Sequence, residues 1–271
     1  MPPSSALEGR ATVTHPGDNA NVRLRRGVQC SGLDHRRGLM IYPCFFPHSY
    51  VAKRCSVQNV NIIMNADLLK LYLATDDRWI DSEESCTEIV SAVRGGVTMV
   101  QLRLKHAKTS LLFRLGEKLL QELRPYNVPL IINDRVDIML ALGAEGVHIG
   151  RGDLPLPEVR RLTGAKIVGY SVNTLEHLYY AEANGADYVG VGPVFSTGTK
   201  TDTGPVLGQK GLAAIIEAAH IPCVAIGGVN TTNVDMVMAA GAAGCCVVSA
   251  VLGATDPRQA ADELYKRISK S

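Results

Sequence analysis

From residue 71 onward, short apolar runs alternate with amphipathic stretches. The runs cover residues 71–75, 98–102, 129–132, 146–149, 167–170, 188–191, 223–226 and 245–248. They are brief and rich in β-branched side chains, which predicts buried parallel strands rather than half-exposed ones. The intervening stretches carry helical periodicity. Over residues 110–123, for example, Leu111, Leu112, Leu115, Leu119 and Leu123 share one face. Three helical stretches close on a Gly-Ala pair, Gly143-Ala144, Gly185-Ala186 and Gly241-Ala242, where glycine supplies the left-handed residue that ends a helix before the next strand. Eight strand-helix units in about 200 residues predict an α/β fold, a (β/α)8 TIM barrel occupying residues 64–271. A doubly wound open sheet competes with it, but Ala74-Thr75-Asp76-Asp77 after the first run lacks the Gly-rich turn of a dinucleotide site.

Residues 1–63 follow neither period. This stretch mixes Pro, Arg, His and Cys, and carries eight Lys or Arg against three Asp or Glu. It reads as an unstructured N-terminal extension or, because Met64-Asn65-Ala66-Asp67 leads straight into the first strand, as a start assigned too early. A targeting segment for organellar import is the third reading; the segment is Arg-rich but shows no clear amphipathic helix.

Composition narrows the function classes. The formal net charge of +2 comes from that extension, since residues 64–271 hold twenty Lys or Arg against twenty-three Asp or Glu. No clustered basic stripe suited to nucleic acid is present, and no apolar run reaches the roughly 20 residues that span a bilayer. Seven Cys lack paired metal spacing, and Cys245 and Cys246 are adjacent, which suits a reducing, cytoplasmic setting better than disulfides. The expected partners are small molecules, with neither nucleic acid nor membrane; a homo-oligomer is compatible with the sequence.

In a barrel of this kind the chemistry sits at the carboxyl ends of the strands. After the second run, alternation aims Gln101, Arg103 and Lys105 to one side and Leu102 and Leu104 to the other. Two cations beside an amide suit a diphosphate, although a solvated strand end would look the same. Asn133-Asp134 ends the third run and Asp153 follows the fourth. Together these carboxylates suit Mg²⁺; singly, each is equally a helix cap, at Val136 and near Pro155. Ser171 after the fifth run offers a hydroxyl to a heterocycle or a cap to a helix. The loop after the sixth run carries Ser196, Thr197, Gly198, Thr199 and Lys200, and Gly227-Gly228 and Val248-Ser249 stand where barrels bind phosphate through backbone N–H groups. His148, within a strand, reads as scaffold, and Cys223, Cys245 and Cys246 as small apolar residues.

Gln101-Leu102-Arg103-Leu104-Lys105, Ile131-Ile132-Asn133-Asp134-Arg135-Val136-Asp137, Gly146-Val147-His148-Ile149-Gly150, the Gly190-to-Lys200 loop and Ala225-Ile226-Gly227-Gly228-Val229 occur in one order. In that combination the chain resembles the thiamine-phosphate synthase family over roughly residues 70–267. The resemblance implies a transferase of thiamine biosynthesis. It would join 4-amino-2-methyl-5-(diphosphooxymethyl)pyrimidine to 4-methyl-5-(2-phosphooxyethyl)thiazole by dissociative substitution, releasing pyrophosphate. It further implies that Gln101, Arg103, Lys105, Asn133 and Lys200 contact the pyrimidine diphosphate, and that Arg103, Lys105 and Lys200 stabilise the leaving pyrophosphate. Asp134 and Asp153 would hold Mg²⁺, and Ser171 would meet the pyrimidine. Thr197, Thr199, the Gly228 backbone, Val248 and Ser249 would bind the thiazole phosphate. The chain departs from the family pattern at Leu104, where Glu is usual, and at Arg151, where Gln is usual after the first Gly. A thiazole tautomerase on the same barrel, or a noncatalytic phosphate-binding barrel, are the competing functions.

Overall fold

The computed structural model describes residues 64–198 and 205–270. The expectations for residues 1–63, and for Thr199 and Lys200, therefore lie outside the described residues. Eight parallel strands close into a barrel: β1 (Leu71–Ala74), β2 (Met99–Leu102), β3 (Leu130–Asn133), β4 (Gly146–Ile149), β5 (Ile167–Val172), β6 (Tyr188–Val191), β7 (Cys223–Ile226) and β8 (Gly244–Val247). Each strand pairs with the next in sequence, and β8 returns to β1 with Tyr72 opposite Cys246. Closure excludes the open doubly wound sheet.

The helices are α1 (Cys86–Arg94), α2 (Thr109–Leu123), α3 (Val136–Leu142), α4 (Leu156–Thr163), α5 (Leu175–Ala183), α6 (Gly208–Ala218), α7 (Val234–Ala239), the short α8 (Ser249–Leu252) and α9 (Pro257–Ile268). On α2, Leu112, Leu115, Leu119 and Leu123 are buried while Leu111 is only partly covered, so the expected apolar face is one residue narrower. Two helix starts carry a side-chain cap. The Thr174 hydroxyl accepts from the His177 N–H at the start of α5 (3.2 Å), and the Asp256 carboxylate accepts from the Gln259 N–H at the start of α9 (3.0 Å). Gly143, Gly185 and Gly241 all have positive φ, at 71°, 83° and 89°, as their turns require.

Strand alternation divides the apolar residues into two cores. Leu71, Leu73, Val100, Leu102, Ile132, Val147, Val168 and Val189 point outward and pack under the helices. Tyr72, Ala74, Met99, Ile131, Tyr188, Val224 and Cys246 point inward, where Met64 and Leu69, at the end of a short 3₁₀ turn (Ala66–Leu69), complete the lumen packing. Leu104 is buried in the outer core, facing away from the lumen as alternation required. The expected boundaries of β4, β6 and β7 hold, while β1, β2, β3 and β8 shift by one residue at one or both ends; β5 runs two residues further, to Val172, so Ser171 lies inside the strand opposite Gly190. The four cysteines of the described residues are free and buried; burial alone pushes the Cys245 thiol up to about 12, so it behaves as a small apolar group.

The lumen is packed to contact around two inward rings. A Cβ on Gly169 of β5 would collide with the Tyr188 ring and with Nδ1 of His148, neither of which has slack in a closed barrel. Gly169→Ala should therefore lower unfolding free energy by about 1–3 kcal/mol, the usual cost of overpacking, read as a lower urea midpoint with an unchanged m-value. An unchanged midpoint would show that the two rings are not held as described.

Candidate active site

The carboxyl ends of the strands surround a cavity of about 610 Å³. Its wall contains Gln101, Arg103, Lys105, Asn133, Asp134, Asp153, Ser171, Thr197, Gly228, Val248 and Ser249. Eight strand ends and their loops thus bring together every expected site residue within the described residues.

On the β2 side, the inward parity of Gln101, Arg103 and Lys105 is fixed by the outward burial of Leu102 and Leu104. Arg103 is not a solvated strand end, because its side chain is only 13% exposed and its Nη1 lies 3.0 Å from an Asp76 carboxylate oxygen. Asp76, two residues past β1, also takes Arg78 Nε at 2.7 Å. Burial pushes the Asp76 carboxyl up, but hydrogen bonds from Arg78 and the positive charges of Arg78 and Arg103 outweigh it and hold the group below its usual range. Neighbouring Asp77 accepts the backbone N–H of Lys105 (2.9 Å) and of His106 (3.3 Å), so the β1 loop pins the β2 loop. Sequence reasoning missed both carboxylates. The strand-end rule that singled out Asn133 and Asp153 would have found them had it been applied to the first strand.

On the β3 and β4 side, Asp134 is one of two non-glycine residues with positive φ (60°) among the described residues. Aspartate tolerates this backbone better than most residues, and such departures collect at functional sites. The conformation is held by the Asp134 N–H donating to the His148 carbonyl (2.8 Å) and by the Asp134 carbonyl accepting from the Val136 N–H (3.2 Å). Neither carboxylate caps a helix. The residue before α3 is Arg135, the one before α4 is Pro155, and neither helix has a side-chain cap bond. The Asp153 carboxylate instead turns back to accept the Gly150 N–H at 2.7 Å, which brings it within hydrogen-bonding reach of Asp134. Burial pushes the Asp134 carboxyl up to about 6, reinforced by the charge and hydrogen bond of Asp153 and opposed by the Lys105 charge and the Asn133 hydrogen bond. Two half-buried carboxyls facing each other form a locus short of positive charge. Among the described residues no group of three or more His, Cys, Asp or Glu converges to hold a metal, so protein oxygen ligands from this pair would fill only part of a coordination shell.

The opposite side carries no charged side chain among its described lining residues. Gly228 has φ 68°, and a Cβ there would meet the Ser196 carbonyl; its own carbonyl accepts from the Asn230 (3.2 Å) and Asn233 (2.9 Å) side-chain amides. Ser249 opens α8 after Val248, where the first N–H groups of a helix have no intrahelical acceptor. Gly228, Thr197, Val248 and Ser249 thus converge on the same mouth. Arg151, where the chain departs from the pattern of the family it resembles, also lines it and lies 3.3 Å from Nε2 of His177 on α5.

The floor holds what local sequence pattern cannot show. Gln101 Nε2 donates to the Tyr72 hydroxyl (2.7 Å), which lies 2.9 Å from the Tyr188 hydroxyl. Tyr188 reaches Nδ1 of His148 (3.0 Å), and Nε2 of His148 reaches Ser171 Oγ (2.9 Å). His148 therefore connects directly to a candidate site residue.

A barrel alone does not decide an activity: a 3-hexulose-6-phosphate synthase of known structure shares the fold at 22% identity and TM-score 0.57. Closer relatives are more informative. A thiamine-phosphate synthase of Syntrophomonas wolfei is 47% identical over 195 residues, covering 72% of this chain and 93% of the relative. Another from Chloroflexus aurantiacus is 44% identical over 200 residues, covering 74% and 93%. The solved thiamine phosphate pyrophosphorylase of Pyrococcus furiosus is 40% identical, with TM-score 0.70 over 76% of this chain and 98% of that one. The model of the thiamine monophosphate synthase family matches residues 71–251, a span that contains β1 through β8 and the whole mouth, and this chain belongs to that family.

Proposed function

We propose that the mouth carries out the family's condensation with its two sides divided between two anionic substrates. The pyrimidine diphosphate lies along β2 to β5, with its ring between Gln101 and Ser171 and its diphosphate toward Arg103, Lys105, Asn133 and Lys200. The thiazole phosphate lies on the neutral side, against Thr197, Thr199, the Gly228 backbone, Val248 and Ser249. The observation that carries this reading is the asymmetry of one cavity: cations and carboxylates on one side, glycine, hydroxyl and backbone groups on the other.

Asp134 and Asp153 fit Mg²⁺, a hard cation that keeps several waters and binds substrate phosphates directly, and so needs only one or two protein carboxylates. Bound there, it would neutralise charge on the diphosphate. Arg103 and Lys105 orient the leaving group and stabilise the negative charge that grows on it as the methylene carbon–oxygen bond breaks. Asp76 keeps Arg103 aimed inward, at the cost of part of its charge. Gln101 and Ser171 hold the ring that becomes cationic, and the thiazole nitrogen captures the methylene with its own lone pair, so no side chain is required as a base. A cytoplasmic location accords with the free, buried cysteines of the described residues, and no helix among those residues is long and apolar enough to cross a membrane.

The direct test is pyrophosphate release. It should require both substrates and Mg²⁺ together, whereas thiazole isomerisation, or ligand binding without turnover, would replace this reading with one of its rivals. Lys200→Ala should lower kcat by about 10²-fold or more, the size of one lost electrostatic stabiliser; near-normal kcat would remove Lys200 from the mechanism. Asp134→Asn should separate function from stability. It removes a carboxyl that burial and Asp153 both disfavour in charged form, so Tm at pH 8 in metal-free buffer should rise while Mg²⁺-dependent turnover falls by about 10²-fold or more. A fall in both would mean that Asp134 supports the fold and not the metal.

A further inference from the structure

We propose that Gln101, Tyr72, Tyr188, His148 and Ser171 form one polarised hydrogen-bond chain across the barrel floor, and that its direction makes the site select a 4-amino pyrimidine over its 4-oxo counterpart. The inference rests on the assignment of Gln101 and Ser171 to the pyrimidine and specifies how they read it.

The direction follows from proton counting. The Gln101 amide nitrogen can only donate, so the Tyr72 oxygen is its acceptor. Tyr72 has a single hydroxyl proton, and either hydroxyl of the Tyr72–Tyr188 pair, 2.9 Å apart, could donate by distance alone; with Gln101 already donating to Tyr72, a Tyr188-to-Tyr72 bond would leave the buried Tyr72 O–H without an acceptor, so the Tyr188 oxygen receives it. Tyr188 must then send its own proton to Nδ1 of His148, 3.0 Å away. An imidazole that accepts at Nδ1 carries its proton on Nε2, and that N–H donates to Ser171 Oγ at 2.9 Å. Ser171 is left with its O–H directed elsewhere than His148. Burial pushes both phenols far above their usual range, so each keeps the proton the chain needs.

Every intermediate member is enclosed. Tyr72 and Tyr188 are 1% and 0% exposed, Gln101 4% and His148 9%. In such surroundings an unmatched donor or acceptor costs about 1–3 kcal/mol, so reversing one member requires reversing all. Glycine makes the room: a Cβ at Gly169 would strike His148 and Tyr188, and one at Gly190 would crowd the His148 ring. The chain links β2 through β1, β6 and β4 to β5, joining two substrate-facing groups that no local motif connects.

At its two ends the chain presents complementary groups. Gln101 has its amide nitrogen committed to Tyr72, which leaves its carbonyl oxygen as the acceptor for the ring substituent. Ser171 offers a hydroxyl proton. A 4-aminopyrimidine supplies an amino N–H to the first and a ring nitrogen lone pair to the second. A 4-oxo ring presents a carbonyl oxygen where the amino group was and an N–H beside it, so it meets acceptor with acceptor. Tyr72, Tyr188 and His148 are positioning residues in this account.

The experiment compares KM for the 4-amino diphosphate with the inhibition constant of its 4-oxo analogue, using the full chain with Mg²⁺ and the thiazole phosphate. Tyr188→Phe keeps the ring but cuts the chain at its centre, freeing each end to reorient; the preference for the amino compound should fall about tenfold or more, the worth of one enforced hydrogen bond. Tyr72→Phe cuts one link earlier and should do the same, which covers the case in which one of the two variants does not fold. Parallel loss of affinity for both compounds, with the ratio unchanged, overturns the proposal, because a merely structural role predicts that result. Gln101→Ala separates the levels: unchanged KM for the amino substrate overturns the pyrimidine assignment itself, whereas a raised KM alongside an unchanged ratio in Tyr188→Phe overturns the chain alone. Nitrogen NMR of His148 in the unsubstituted protein gives an independent reading. The Nε2–H tautomer is expected, and the Nδ1–H tautomer contradicts the stated direction.

Discussion

A closed barrel leaves its inward side chains nowhere to go but into each other, and this constraint shapes the rest of the molecule. With β8 paired to β1 the sheet has no edge, and alternation commits every second residue of each strand to the lumen. Toward the amino ends the lumen is filled by Leu69, Met99 and Ile131, which need only fit. Further along, the same parity delivers Gln101, His148 and Ser171, which must also find hydrogen-bond partners away from bulk water. They find them in one another, through two tyrosines whose hydroxyls meet between β1 and β6. Shape and polarity are therefore settled in the same layer, immediately beneath the cavity.

Above that layer the governing quantity is charge. Arg103 enters the mouth already paired with Asp76, so the β2 side of the mouth is less positive than its composition suggests, and the orientation of Arg103 is correspondingly more defined. Asp134 and Asp153 show the opposite condition: two acids held together with a burial penalty and only partial relief from Lys105. One pair stores orientation and the other stores a demand for a cation. The neutral side, from Gly228 to Ser249, adds no charge, so a phosphate arriving there relies on backbone groups and hydroxyls. Two anions can thus share one mouth without being held by the same groups.

Much of this was legible in the sequence because it depends on local periodicity. The eight strands fall within two residues of the apolar runs, and the outward burial of Leu102 and Leu104 follows from alternation alone. Gln101, Arg103, Lys105, Asn133, Asp134 and Asp153 were recognisable by their place at strand ends. The partnerships were not legible. Tyr72 and Tyr188 are separated by 116 residues in sequence, and nothing in either strand announces the other. Asp76 was visible as a residue but not as the partner of Arg103, because that pairing depends on how two loops meet. His148 is scaffold in its strand, as its position suggested, yet its ring nitrogens tie that scaffold to Ser171. Capping, the default for Asp134 and Asp153, fails because the helices begin one and two residues later than a cap would need.

The central claim, one mouth with two chemically distinct anion sides, is tested most directly by a crystal structure of the protein with thiamine phosphate, pyrophosphate and Mg²⁺. The account predicts pyrophosphate beside Arg103 and Lys105 with the metal on Asp134 and Asp153, the product's pyrimidine between Gln101 and Ser171, and its phosphate against Gly228 and Ser249. Both anions on the same side of the cavity, or a metal bound away from the carboxylate pair, would contradict it.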